Sequence, residues 1–374
     1  MASLAQRNLF HDRVRLAVTL VGIVFSVVLA TIQLGLFVGF TTATAEVIDR
    51  SGADFWIVSR GATHLESSAA FPETEYYRAR GAAGVAEVQK HLVQFGEWQR
   101  PDGVRESVLL IGFDPGGTMG RPWNITAGRV EDLEQADTVF VDELYREKLG
   151  VTHLGQVVEI GGYRARVAGF TRGIRTFTTA PPVFCSFKNA QNYFGLREDQ
   201  VTALLVTASP GADRAAVERA LAARGGEVDV YPTEAWSRRQ QGYWMFGTGA
   251  GVTVLIAAAL GLLVGVVVVA QTIYAATVDH IREFGTLKAM GASNRYIYGV
   301  ILQQALTSGA IGAVLGMGIA LAVAAASQQG TPAIMVPWPL ATGLLILTLL
   351  MCAAASVVSI NKVTRLDPAL VFKG

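Results

Sequence analysis

Five histidines, two cysteines and thirty Asp and Glu residues are the groups with which this chain could do covalent or metal chemistry. Their spacing supports none of it. His11, His64, His91, His153 and His280 are scattered, with no H-E-x-x-H pair to place two imidazoles on one helix face around zinc. Cys185 and Cys352 are far apart and make no metal-spaced pair, so both are expected to be free and structural. No G-x-S-x-G elbow presents a nucleophile. No G-x-x-x-x-G-K-[ST] loop offers the backbone N–H groups that cradle ATP phosphates. The expectation is a chain with no catalytic residues, no metal site and no cofactor of its own. Any use of ATP then falls to another polypeptide.

The spacing that does stand out concerns binding. In DHIREFGTLKAMGASNRYI, Asp279 to Ile297, the apolar residues Ile281, Phe284, Leu287 and Met290 follow one another at intervals of three. On a helix such neighbours touch, and because a helix turns every 3.6 residues they drift into a broad band. Arg282, Glu283 and Lys288 lie between them. Gly291 suits the position just past a helix end, and Ser293 suits the N-cap of the next helix. A band of Phe, Leu and Met outside a hydrocarbon core has to be covered, by a membrane surface or by the groove of a partner protein. The residues themselves favour neither.

What must position this segment is apolar. The chain is 51% hydrophobic and 16% charged, against about 25% charged for a soluble domain. No Asp, Glu, Lys, Arg or His occurs in Leu16–Ala45, Gln240–Val278 or Tyr296–Asn361. A bilayer crossing takes about 20 apolar residues, so four spans are predicted, at 17–40, 246–275, 297–326 and 340–360. Gly330, Pro332, Pro337 and Pro339 mark the turn between the last two. Arg7, Arg13 and Arg15, then Arg282, Lys288 and Arg295, then Lys362, Arg365 and Lys373 make three basic flanks, which the positive-inside rule assigns to the cytoplasm. Both termini are then cytoplasmic and residues 46–239 lie outside. ATAE at Ala43–Glu46 resembles a signal-peptidase site, but the preceding apolar run is longer than a secretory h-region, so an uncleaved anchor is expected.

The fold class that follows is an integral membrane α-helical protein with four transmembrane helices and an α+β extracytoplasmic domain inserted between spans 1 and 2. The segments are an amphipathic N-terminal helix (1–15), span 1 (16–45), the external domain (46–239), span 2 (240–278), the short cytoplasmic helix (279–295), spans 3 and 4 (296–361) and a cytoplasmic tail (362–374). In the external domain strands are predicted at 54–59, 106–113, 137–142 and 201–208, with a hairpin about Gly161-Gly162 within 156–171. Helices are predicted at 72–80, 141–150 and 213–224. The strand–helix–strand pattern from Gln200 to Tyr231 is like half of a ferredoxin-like unit, and the domain has room to split into two lobes. The spans carry three G-x-x-x-G pairs, Gly35/Gly39, Gly261/Gly265 and Gly312/Gly316. These predict close helix packing, within or between protomers. With no ionisable residue in the spans, an ion-driven mechanism is not expected. A net charge of +1 argues for no nucleic acid partner.

At the docking segment a family resemblance enters. REFGTLKAMGASNRYI resembles the E-[IF]-G-x-L-[KR]-A-x-G-A-[ST] signature of FtsX-like ABC transporter permeases, the group that includes macrolide-exporter-type permeases. The matching residues are Glu283, Phe284, Gly285, Leu287, Lys288, Ala289, Gly291, Ala292 and Ser293. LGQVVEIGGYRARVAGF (154–170) resembles a strand pair of that family's periplasmic domain, LDPALVF (366–372) is similar to its shortened tail motif, and the four-span layout is similar to DevC-type permeases. The resemblance implies a homodimer in the inner (plasma) membrane, bound to two ABC ATPase subunits that hold ATP and Mg. Ile281, Glu283, Phe284, Gly285, Leu287, Lys288, Met290 and Gly291 would form the coupling helix that docks on the ATPase. ATP-driven motion would pass through the spans to the periplasmic domain, which would export a lipid, glycolipid, drug or other hydrophobic compound. A membrane-fusion adaptor and an outer-membrane channel are further partners the resemblance allows, along with membrane lipids. The same scaffold also serves FtsX-like regulation of cell-wall hydrolases and lipoprotein release.

Overall fold

The computed structural model describes residues 13–176, 178–224, 226–279, 285, 286, 288, 290–328 and 333–364. The predicted N-terminal amphipathic helix and the cytoplasmic tail fall almost wholly outside the described residues. Contacts divide the chain into two units, one drawn from residues up to 39, 252–328 and 333 onward, the other from 40–251.

Helix α1 (Arg13–Asp49) has 37 residues. At 1.5 Å per residue it is roughly 55 Å long, well beyond the ~30 Å of a hydrocarbon core. The helix thus continues past residue 45, where span 1 was expected to end. Glu46 and Arg50, one turn apart, pair at 3.0 Å where the helix finishes.

The second unit is organised around a sheet. Its first half contains β1 (Phe55–Ser59), β2 (Phe71–Pro72), α2 (Thr74–Arg80), β3 (Val85–Gln99), β4 (Arg105–Phe113), β5 (Ile125–Ala127) and β6 (Thr138–Asp142). There follow α3 (Arg146–Leu149), β7 (Val157–Ile160), β8 (Tyr163–Thr171), β9 (Pro182–Ser186) and α4 (Phe187–Tyr193). β10 (Gln200–Val201), β11 (Ala203–Ala208), α5 (Arg214–Arg224), β12 (Val228–Pro232) and α6 (Thr233–Gly242) complete it. The strand order is β12-β1-β11-β3-β4-β9-β6-β8-β5, with β7 beside β3 and β8, and β2 paired with β10 apart.

Alternation along β1 shows how the sheet makes two cores. Phe55 and Ile57 join one buried cluster, Trp56 and Val58 the other, as a period of two requires when both faces are covered. β11 and β12 both run antiparallel to β1 and flank it, with α5 between them in sequence. This is the split β-α-β half that the Gln200–Tyr231 pattern predicts. The hairpin also falls where expected. Ile160 faces Tyr163 across Gly161 (φ +56) and Gly162 (φ +82), the two positive φ values of a type I′ turn. A side chain at Gly161 would in addition sit 2.4 Å from the Tyr193 carbonyl oxygen.

β3, the longest strand, has no counterpart in the predictions. Its apolar Val88, Leu92 and Phe95 recur at helical spacing, which masks the strand period. The chain is extended because two partners share it: residues 85–91 pair with β11 and 92–99 with β4. β3 thus runs through both parts of one continuous sheet. At the handover lies His91, fully buried, edge-on to Trp56 at 5.3 Å and with neither ring nitrogen hydrogen-bonded. Burial holds its imidazole at about 3, far below the ordinary 6.5. The fold favours the neutral ring. Its contribution is whole above about pH 6.5 and is lost as pH falls toward 3, by about 1.4 kcal/mol per unit. His91→Leu is therefore expected to flatten the acid limb of the stability curve, read by thermal unfolding of the purified chain between about pH 4 and 7. An acid limb as steep as wild type's counts against the assignment.

Asp142 closes β6. It is fully buried, and its carboxylate accepts from the Leu144 N–H (3.1 Å), the Thr171 hydroxyl (2.9 Å), the Gly173 N–H (3.1 Å) and the Ile174 N–H (2.9 Å). One side chain thereby fixes both the turn after β6 and the chain leaving β8.

Span 2 starts later than predicted. After α6 comes a wide-turn π-helix, Tyr243–Gly247, in which Tyr243 stacks on His64 at 3.8 Å. Gly249 (φ +75) then breaks the chain before α7 (Ala250–Asp279) begins. α8 (Asn294–Ser327) and α9 (Trp338–Thr364) follow. With α1 these make four helices long and apolar enough to cross a membrane. Their common core is small and drawn from all four: Ile23 and Val27 of α1, Val269 of α7, Ala305 and Ala313 of α8, Cys352 and Ala355 of α9. Several hydroxyls within the spans bond to their own helix, as Thr31 does to the Val27 carbonyl (2.7 Å) and Thr272 to the Val268 carbonyl (2.6 Å), while Ser26 also reaches the Gly265 carbonyl of α7 (3.4 Å).

Candidate functional site

Two groups of residues were predicted to act, the segment between α7 and α8 and the paired glycines. In the first, Ile281, Glu283, Phe284 and Leu287 lie outside the described residues. Gly285 is buried, and Gly285, Thr286 and Lys288 are helical. The Met290 N–H donates to the Thr286 carbonyl (3.0 Å) and the Gly291 N–H to the Lys288 carbonyl (3.1 Å). Gly291 then takes φ +94, a conformation that costs a glycine little and an L side chain more. Ser293 starts α8, its hydroxyl oxygen accepting from the Tyr296 N–H (3.3 Å). Directly before these two stops the Met290 side chain is 73% exposed. Sequence order and chain geometry thus set an apolar side chain in the open at a sharply delimited turn.

The glycine pairs divide into two kinds. A Cβ at Gly312 would sit 2.6 Å from Ile23 Cγ2, and one at Gly316 would sit 2.9 Å from Val27 Cβ and 3.1 Å from the Val24 carbonyl oxygen. These bring α8 onto α1. Gly265 meets Ser26 Cβ at 3.1 Å and Gly261 meets Leu29 Cγ at 3.3 Å, bringing α7 onto α1 with slightly more room. Gly35 and Gly39 meet a connecting segment of the same chain. They seat the extended residues 333–336: the Met335 N–H donates to the Gly35 carbonyl (3.0 Å), and a Cβ at Gly39 would lie 2.1 Å from the Ala333 oxygen. All these contacts are made within one chain. Two further close approaches were not predicted, Gly22 against Thr272 and Val268, and Gly309 against Cys352 Sγ at 2.8 Å. Both belong to wider small-x-x-x-small patterns, Gly22/Ser26 and Gly309/Ala313, which a search for glycine alone overlooks.

The external domain offers no metal cluster among the described residues. Cys185 and Cys352 are free and buried, and burial pushes the Cys185 thiol far above its ordinary range, which keeps it inert.

A family model described as the MacB-like periplasmic core domain matches residues 16–224, and one described as the FtsX-like permease C-terminal matches residues 255–368. The chain belongs to the family of FtsX-like ABC transporter permeases with a MacB-like periplasmic core. Relatives agree along its full length. The ABC transporter permease Rv0072 of Mycobacterium tuberculosis is 23% identical over 385 residues, spanning 99% of this chain and 99% of its own. Rv2563, an ABC transporter permease of the same organism, is 23% identical over 363 residues, 97% of this chain and 96% of its own. Among solved structures, the periplasmic region of MacB from Actinobacillus actinomycetemcomitans is similar over 52% of this chain and 96% of its own, with TM-score 0.39 and 13% identity. The extracellular domain of the ABC-type transporter YknZ from Gram-positive bacteria aligns over 48% and 100%, with TM-score 0.36 and 17% identity.

Proposed function

We propose that this permease is a non-catalytic, mechanotransmitting subunit of an exporter. A separate ABC ATPase, in two copies, binds ATP and Mg and docks on the segment 279–295 of a permease homodimer. Its motion passes through the four spans to the periplasmic domain, which expels a hydrophobic compound already outside the membrane. The observation that carries this reading is the exposed Met290 directly before the Gly291 and Ser293 stops, in a segment whose other apolar members are Ile281, Phe284 and Leu287. The charge-free spans support it too, since they offer no charged path for cargo. The basic residues flanking the spans support a cytoplasmic side for both termini and for the segment 279–295 in this reading.

The test is affinity purification of the tagged full chain from its own membranes. An ABC ATPase is expected to come with it. Phe284→Asp is expected to cut the yield of complex roughly tenfold to a hundredfold, the worth of one buried aromatic contact of about 1.5–3 kcal/mol, while the permease itself purifies normally. Unchanged yield would overturn the docking role. A membrane-fusion adaptor in the same eluate supports export. A cell-wall hydrolase in its place points to the regulatory alternative, and a trapped lipoprotein to the release alternative.

A further inference from the structure

A cleft of about 650 Å³ opens on the external domain between α2, the middle of β3 and the start of α4. That volume falls within the range of small-molecule sites, about 300–1,000 Å³. Its floor is apolar: Val88 and Phe187 belong to one buried core and are no more than 7% exposed. One wall carries Tyr76 and Tyr77, set edge to face at 5.2 Å, and Tyr77 is 63% exposed. An exposed ring beside an apolar floor is a surface on which a second flat body can lie.

The two lysines of the cleft are each paired with a carboxylate, whereas Asp114 and Arg80 make no ion pair with any described residue. The Lys90 ammonium is paired with Glu73 and lies 5.4 Å over the Tyr76 ring and 5.9 Å over the Phe187 ring. Lys188 is paired with Glu198 at 2.7 Å. The Asp114 carboxylate accepts from the Gly116 N–H at 3.1 Å. Arg80, at the end of α2, lines the same cleft and makes no ion pair with any described residue. A guanidinium fork matches a carboxylate in shape as well as charge, and a dianion would bring a second charge with no free cation to meet it.

We propose that this cleft binds a planar aromatic monocarboxylate, its anion gripped by Arg80 and its ring laid on the apolar floor beside Tyr77. The site is complete within the domain and depends on neither ATPase docking nor export.

The experiment is calorimetric titration of the full chain in lipid nanodiscs with 2-naphthoate, and with the uncharged 2-naphthamide as comparator, against empty nanodiscs. Saturable binding of 2-naphthoate is expected. The amide should bind about tenfold more weakly, and Arg80→Gln should weaken the naphthoate by about tenfold, the usual scale for one charge-assisted contact. Tyr77→Ala should also weaken it, while Lys188→Gln, at a charge already paired, should leave it unchanged. Arg80 is exposed, so its replacement does not threaten folding. The proposal is overturned if naphthoate shows no saturable binding beyond empty nanodiscs, if the amide binds equally, or if Arg80→Gln binds as wild type does.

Discussion

Gly312→Leu is expected to prevent the helical unit from closing. The first atom of the new side chain alone would stand 2.6 Å from Ile23 Cγ2 and 2.8 Å from Ile23 Cβ, and the remaining three carbons would have to enter the same gap. Ile23 cannot swing away, since it is β-branched and fully buried in the core shared by all four helices. Relief therefore requires α8 to move off α1, which breaks the neighbouring contacts of Gly316 with Val27 and the Val24 carbonyl. Overpacking costs about 1–3 kcal/mol in a soluble core. In a bilayer there is little hydrophobic drive to pull the helices back together, because association rests on packing itself. A loss of about 3 kcal/mol is expected, read as a lower detergent-unfolding midpoint of the purified chain. Gly318→Leu is the control. Nothing lies within 4 Å of a Cβ there, two residues from Gly316 on the same helix, so its midpoint should match wild type. If both variants unfold alike, the close approach at Gly312 is not what holds α8.

The second large effect is expected at Asp142→Ala. Four donors converge on this carboxylate, and two of them, the Thr171 hydroxyl and the Ile174 N–H, belong to fully buried residues. Alanine leaves those two with no acceptor and no water. The Leu144 and Gly173 N–H groups are only partly covered, so solvent can replace some of what they lose. Hydrogen bonds to a charged group contribute about 1.5–3 kcal/mol each, and a stranded buried donor costs about as much. A destabilisation of about 4 kcal/mol is expected, measured as a lower thermal midpoint. Asp142→Asn keeps one oxygen and should lose roughly half as much. By contrast, breaking the Lys188–Glu198 pair, exposed on both sides, should hardly change the midpoint. A midpoint for Asp142→Ala within error of wild type would sink the argument.

The membrane half was the more legible part of the sequence, because a charge-free run of 30 or more residues has few alternatives in water. What failed there were boundaries. Helix propensity does not stop where hydrophobicity does, so α1 continues through Glu46 to Asp49. Conversely the aromatic stretch Tyr243–Gly247 is apolar enough to pass for span 2, yet its stacking on His64 and the left-handed Gly249 hold it apart from α7. In the external domain the short strands were legible where one residue type alternates with another, and the hairpin was legible because Gly-Gly between two alternating runs names its own turn. β3 was not. Lys90, Gln94 and Glu97 interrupt its pattern, and its extended state is imposed by β11 and β4, partners a hundred residues away or just ahead in sequence. The segment 279–295 stands out in the sequence by its spacing, but Arg80 and its cleft do not, since no local pattern tells which of many arginines ends up without a carboxylate.

The match between α1 and α8 has one more implication. Ile23 and Val27 are four residues apart, and so are the hollows at Gly312 and Gly316 that receive them. Two rows with the same pitch behave like a detent. Sliding one helix along the other by part of a turn drives a branched side chain into a ridge, whereas a full turn of about 5.4 Å finds the next notch.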